Sequence, residues 1–194
     1  VPEIYVTEDE AAAAWPGLLK LPESERTALI ADASAAVRDH CRRDLARAVR
    51  TEILDGRNRP RVWLSVRPVA EVLAVSINGE ALDNADGEAW TVDAGTGELL
   101  RGPGRGDPWF APAFPTGKGN VVVEYDGGFD PIPGPVKRAT ILTLRRFAEA
   151  ARASGVYRSE SIGDYSYTLA DDARSPISDF VANMLAPYVA GGLG

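Results

Sequence analysis

The apolar positions of this chain change period twice. Near the start, Thr7-Glu8-Asp9-Glu10 fits a capping box, in which the threonine caps the amide three residues on and the glutamate reaches back. It precedes Ala11 to Ala14 and predicts a short helix that stops near Trp15-Pro16-Gly17. Pro22 and Ser24 open a longer helix, expected from Glu23 to about Leu45. Ile30, Ala33, Val37, Cys41 and Leu45 share one of its faces at helical spacing. Arg38 and Arg42 are an i,i+4 pair on the far side, and Arg43, Arg47 and Arg50 follow. Cations near a helix C-terminus suit its dipole, so part of this cluster reads as end-capping.

From about residue 49 the period becomes two. Val49 to Leu54 reads as a strand ending at the turn signal Asp55-Gly56, and Arg61 to Val66 as the next, broken by Arg67-Pro68-Val69. Glu71 to Ile77 follows, with Asn78-Gly79 marking a tight hairpin. Ala89 to Val92 and Glu98 to Leu100 are shorter strands around Ala94-Gly95-Thr96-Gly97. Gly102 to Gly119 is rich in glycine and proline and reads as a long loop. Asn120 to Tyr125 is the clearest strand, ended by Gly127-Gly128.

Helical spacing returns after Pro131. Pro133 and Pro135 stand where proline is tolerated, at a helix start. Val136 to about Ala153 is helical, with Val136, Thr140, Thr143, Leu144, Phe147 and Ala151 on one side, and Ser154-Gly155 stops it. A polar segment, Tyr157 to Asp172, holds the alternating piece Tyr165 to Leu169. Ser175-Pro176 opens a last helix with a narrow apolar stripe of Ile177, Phe180, Val181, Met184 and Tyr188. That helix is too short to stand alone, so its stripe needs a partner in this chain or in another subunit. The order predicts an α+β fold: mainly an α-helical bundle, with a β-sheet insertion between its N-terminal and C-terminal helices. The expected divisions are 1–48 (N-terminal helices), 49–130 (β insertion) and 131–194 (C-terminal helices, in one helical domain with 1–48).

Composition narrows the function. Across 194 residues the formal charge is −7, and residues 51–128, with 12 acids against 7 bases, supply 5 of those 7 charges. An acidic chain argues against a dedicated nucleic-acid coat. All but three of the 21 basic residues are arginines, for which a GC-rich genome is the plainest explanation. No apolar run approaches the roughly 20 residues of a membrane span. The start, Val1-Pro2-Glu3-Ile4, has neither the basic nor the apolar region of a signal peptide. The single cysteine, Cys41, forbids an internal disulfide and disfavours a cysteine-based zinc site.

Catalytic readings fail on residue supply. His40 is the only histidine, and as a helix neighbour of Cys41 it points about 100° away from it. No nucleophile elbow, phosphate loop or dinucleotide fingerprint is present. Asp83 to Glu88 lacks the alternating ligands and distant glutamate of a calcium loop, and a hairpin turn is the simpler account. Asp126 and Asp130 flank glycines that more simply end a strand. Arg105-Gly106-Asp107 sits in a Gly/Pro loop where such triplets arise by chance. Trp63 and Trp90, if cross-strand neighbours, offer a sugar-binding platform, although core packing is the commoner fate. Trp109-Phe110 is the better exposed contact. No catalytic residue, cofactor site or metal site is therefore assigned.

Three pieces of the chain resemble the head–tail connector, or adaptor, family of tailed bacteriophages. The first is the opening helix with its basic end, leading into Thr51 to Gly56 and Val62-Trp63-Leu64-Ser65-Val66-Arg67-Pro68-Val69. The second is Val72 to Gly79, with Val121 to Phe129 and Ile132-Pro133-Gly134-Pro135-Val136-Lys137. The third, and most distinctive, is Arg158-Ser159-Glu160-Ser161-Ile162-Gly163-Asp164-Tyr165-Ser166-Tyr167-Thr168 before a final helix. The resemblance spans about Ser24 to Tyr188; Val1–Leu21 and Gly102–Gly119 match less well.

The resemblance implies a structural, non-enzymatic virion protein of the neck, assembled in the host cytoplasm. It implies a ring of copies, twelve-fold like the portal. That ring would bind the portal protein, extend the DNA channel, and present a surface to the next tail, stopper or tail-terminator component. Double-stranded DNA would pass without sequence-specific binding, which an acidic chain suits, and no membrane is involved. Head-to-tail rings need two different faces on each subunit. The candidate partner contacts are Ser159, Glu160, Asp164, Tyr165 and Tyr167, and the last-helix stripe of Ile177, Phe180, Val181, Met184 and Tyr188. Two other classes stay open: a carbohydrate- or receptor-binding β module of a phage or bacterial surface protein, and a hydrolase using paired acids.

Overall fold

The structure, a computed structural model, describes residues 4–104, 112–156 and 177–190. The chain divides into two compact units, Val1–Asp44 with Ile132–Gly194, and Leu45–Pro131.

The first unit is helical. It holds α1 (Glu8–Ala14), a 3₁₀ turn (Pro16–Lys20), α2 (Glu23–Cys41), α3 (Gly134–Val156), α4 (Asp179–Leu185) and a last 3₁₀ turn (Ala186–Tyr188). The capping box forms as read: Thr7 Oγ1 accepts from the Glu10 amide at 3.2 Å, and Glu10 Oε2 accepts from the Thr7 amide at 3.1 Å. Two ion pairs then fasten α1, Glu8 with Arg26 of α2 at 2.7 Å and Glu10 with Lys137 of α3. Beneath them Val6, Ala11, Leu18, Ile30, Ala33 and Leu144 form one buried cluster. Ser34 is buried without cost in unmet polarity, since its hydroxyl donates to the Ile30 carbonyl and accepts from the Tyr5 amide.

The second unit is made of two antiparallel sheets. Its strands are β1 (Ala48–Gly56), β2 (Arg61–Trp63), β3 (Val69–Ile77), β4 (Glu80–Ala81), β5 (Trp90–Val92), β6 (Glu98–Arg101) and β7 (Gly117–Gly127). They pair in the orders β1-β7-β3-β4 and β2-β6-β5. Val62, Trp90 and Leu99 from one sheet share a core with Val75, Val121, Val123 and Tyr125 from the other. Burial alternates along β1 and β7, as expected for a sheet covered on one face. Asn78 and Gly79 both have positive φ, 54° and 85°, as the tight β3–β4 turn requires.

The expected mainly helical bundle is overturned. The structure is 38% helical and 29% strand, with two antiparallel sheets, so it is α+β and not a mainly helical bundle. The physical reason is that residues 45–131 close a hydrophobic core of their own, with twelve buried side chains. Local boundaries moved too. The long helix ends at Cys41, not Leu45, because Arg42 turns left-handed at φ 55°. No glycine or asparagine there announces the stop. The strand read over Arg61–Val66 pairs only as far as Trp63, although Leu64 and Val66 stay buried. Gly117-Lys118-Gly119, read as loop, opens β7.

Candidate docking site

The α3–α4 pair carries the candidate contact face. Ser178 starts α4: its Oγ accepts from the Val181 amide at 3.4 Å, so the cap lies beyond the Ser175-Pro176 signal, which falls outside the described residues. Seven residues of helix cannot hold without packing. Ile177, Val181 and Leu185 supply that packing, at 7%, 3% and 0% exposure. Phe180 turns away and is 64% exposed. Met184 and Tyr188 are half-buried.

The apolar stripe is therefore two features. Ile177 and Val181 belong to the interior, joined by Leu185, which the sequence reading missed although it lies four residues after Val181. Phe180 and Met184 remain at the surface, each beside a cleft. Phe180 borders one of about 500 Å³ with Arg138, Leu142, Arg145 and Arg146 of α3. Met184 borders one of about 780 Å³ with Ala14, Lys137, Arg138 and Ile141. Arg138 and Leu142 line both clefts. Arg138 and Arg145 are exposed, and Arg145 makes an exposed pair with Glu149 at 2.9 Å. This arginine row was not singled out from sequence; its signal was the spacing of Arg138, Leu142 and Arg145 on one helix face.

Tyr188 does something not foreseen. Its carbonyl accepts from Arg43 Nε at 2.8 Å, and the Ala190 amide donates to the Cys41 carbonyl at 2.8 Å. Tyr188 and Ala190 are thus tied to the end of α2 and the residues that follow it. The predicted contacts Ser159, Glu160, Asp164, Tyr165 and Tyr167 lie outside the described residues, as do Arg105-Gly106-Asp107 and Trp109-Phe110.

Other candidate chemistry resolves into structural roles. The Cys41 side chain is buried, which pushes its thiol up to about 11, against the thiolate a nucleophile needs. Asp126 is held by Arg47, whose Nε at 2.8 Å and Nη2 at 2.7 Å both reach Oδ2, a charged contact that raises the arginine further above its ordinary value. Asp83 and Asp86 each accept from an amide two residues on, and Asn84 Oδ1 from the Ala89 and Trp90 amides, so this loop closes on its own backbone. Among the described residues no group of three or more His, Cys, Asp or Glu is placed to hold a metal ion. Trp63 and Trp90 are not cross-strand neighbours: β6 separates their strands, and Trp90 is buried while Trp63 is 44% exposed. No described helix is long and apolar enough to cross a membrane.

No protein-family model matches the sequence, and no curated protein matches it. Solved structures do. A chain of the virion of a native gene transfer agent particle is 16% identical with a TM-score of 0.56, over 98% of this chain and 92% of that one. A chain in the neck of a native gene transfer agent particle, computed with C12 symmetry, is 15% identical at 0.53, over 99% and 96%. A chain in the neck of an empty particle, computed with C6 symmetry, is 14% identical at 0.50, over 87% and 81%. The likeness at these identities is one of fold, it runs through both units, and it is consistent with the connector resemblance read from the sequence.

Proposed function

We propose that this chain is a ring-forming structural protein of the neck of a phage-like particle, a head–tail connector and not an enzyme. The observation that carries the reading is the end-to-end fold likeness to chains of particles whose necks were computed with C6 and C12 symmetry. In this reading the copies form a closed ring that binds the portal, extends the DNA channel and joins head to tail, and the protein resides in the virion. The exposed Phe180, with Met184 beside it, is the anchor of a partner contact, where an aromatic set among arginines is the usual composition of a binding hot spot. The polar run with Ser159, Glu160, Asp164, Tyr165 and Tyr167 is proposed to face a neighbouring subunit or the portal.

The test is binding of the purified chain to the portal of the same particle, viewed by electron microscopy. A ring of density added to the portal, lost with Phe180→Ala and Met184→Ala together, is the expected result. Absence of any complex at micromolar concentrations removes the portal assignment.

A further inference from the structure

The helical unit carries two surface stripes of opposite charge and equal spacing. On α2, Asp32 and Asp39 are seven residues apart, with Ala35 and Ala36 between them, and all four border one open groove whose wall includes Phe147 of α3. On α3, Arg138 and Arg145 are also seven residues apart, with Leu142 between them and Phe180 of α4 alongside. Seven residues are two helical turns, about 10.5 Å, so the two charge pairs match in length. Alanines between the acids leave a notch, and Phe180, 64% exposed beside the two arginines, is the side chain such a notch receives. Phe147 lies nine residues beyond Arg138, which places it about 180° around α3. The two stripes therefore look out on opposite sides of that helix.

We propose that the acidic notch of one copy receives Phe180 and the arginine pair beside it from the next, as the heterologous contact of the ring. Two unlike, complementary patches on opposite sides of a subunit are what head-to-tail association requires. The occupant is a second copy of this chain because the complement is built into the chain itself. Asp32 and Asp39 and Arg138 and Arg145 are all exposed. Their present partners, Arg38 for Asp39 at 3.5 Å and Glu149 for Arg145 at 2.9 Å, are local surface pairs of little worth. His40 borders the notch, and Arg146 and Glu149 line the cleft beside Phe180. Like-charged faces repel, so the pairing also fixes which face meets which.

The inference rests on the ring reading above, and a charge-reversal cross separates the two. One variant carries Arg138→Glu and Arg145→Glu; the other carries Asp32→Arg and Asp39→Arg. Self-association of the full chain is followed by sedimentation from micromolar to about 1 mM, with circular dichroism confirming each fold. The wild type should associate, more weakly at high salt. Each variant alone should lose at least tenfold in association, and an equal mixture of the two should recover it, because every interface in the mixture again joins opposite charges. Variants that associate like the wild type overturn the pairing while leaving the ring intact. Variants that fail and are not rescued by mixing also overturn it, and point to residues 157–176 of the same chain or to another protein as the occupant. A wild-type chain that stays monomeric overturns the pairing too, and the copy number in particles then decides the ring reading separately. Should the reversals unfold the chain, Asp32→Asn with Asp39→Asn and Arg138→Gln with Arg145→Gln replace them. Unchanged association and salt dependence in these neutral variants again overturns the proposal.

Discussion

Phe180 and Val181 are adjacent in sequence and opposite in placement: the phenyl ring is 64% exposed and the valine 3%. A step of about 100° around a short helix thus separates a packing role from a surface role. Phe180→Ala should change folding stability by less than about 0.5 kcal/mol, as surface substitutions do. Val181→Ala should cost about 1–3 kcal/mol through lost burial and a residual cavity. Denaturant titration of the two variants checks this directly. Equal losses would return Phe180 to the core.

Tyr125 ties the Ser65–Val66 stretch that follows β2 to the four-stranded sheet. Its hydroxyl donates to Glu52 at 2.9 Å and accepts from the Val66 amide at 3.2 Å, while Glu52 also accepts from the Ser65 amide at 3.0 Å and hydroxyl at 3.1 Å. Tyr125→Phe keeps the ring and strips this buried amide of its partner. The expected cost is about 1–3 kcal/mol, the desolvation penalty of a buried polar group left unmet. A thermal melt that does not move would contradict the role assigned to this hydroxyl.

These two residues also show what was legible in the sequence. Tyr125 stood in a strand that alternation made plain, yet its partner Glu52 is 73 positions away, and only the sheet register brings them together. The capping box at Thr7 was readable because both partners are three residues apart. The stripe on the last helix was readable as apolar and unreadable as two faces, since helical spacing does not say where the neighbouring helix lies. Arg42 ended α2 through backbone conformation alone, and arginine carries no signal for it. The weight of the sheet unit was underread because its strands β2, β5 and β6 have three or four residues each, and local patterning gives such fragments no core.

Glu10 titrates below the ordinary carboxylate range, held down by the Lys137 hydrogen bond and then by the Thr7 amide. A carboxyl depressed in the folded state adds stability above its unfolded value, near 4, and loses it as pH falls through the folded value. Glu10→Gln keeps the cap and removes the charge. The wild type should exceed this variant by up to about 1 kcal/mol at neutral pH, a figure kept small by solvent screening. The two should converge as pH falls below 4. A difference that persists at pH 2 would assign it to something other than this charge.

Gly128 has φ 113°, and a Cβ placed there would lie 2.4 Å from the Ala46 carbonyl oxygen. Both the positive φ and the backbone clash oppose any side chain. Gly128→Ala should destabilise the protein by more than about 1 kcal/mol, beyond what glycine-to-alanine entropy returns. A variant as stable as the wild type in denaturant titration would show that the Ala46 backbone yields freely.

The central claim is that this chain is a ring component of a particle neck. Quantitative mass spectrometry of purified particles tests it most directly. The account predicts the chain in every preparation at about the portal's copy number, near twelve per particle if its ring follows the C12 symmetry computed for a neck it resembles in fold. Its absence from intact particles, with abundant free protein in the producing cells, would contradict the account.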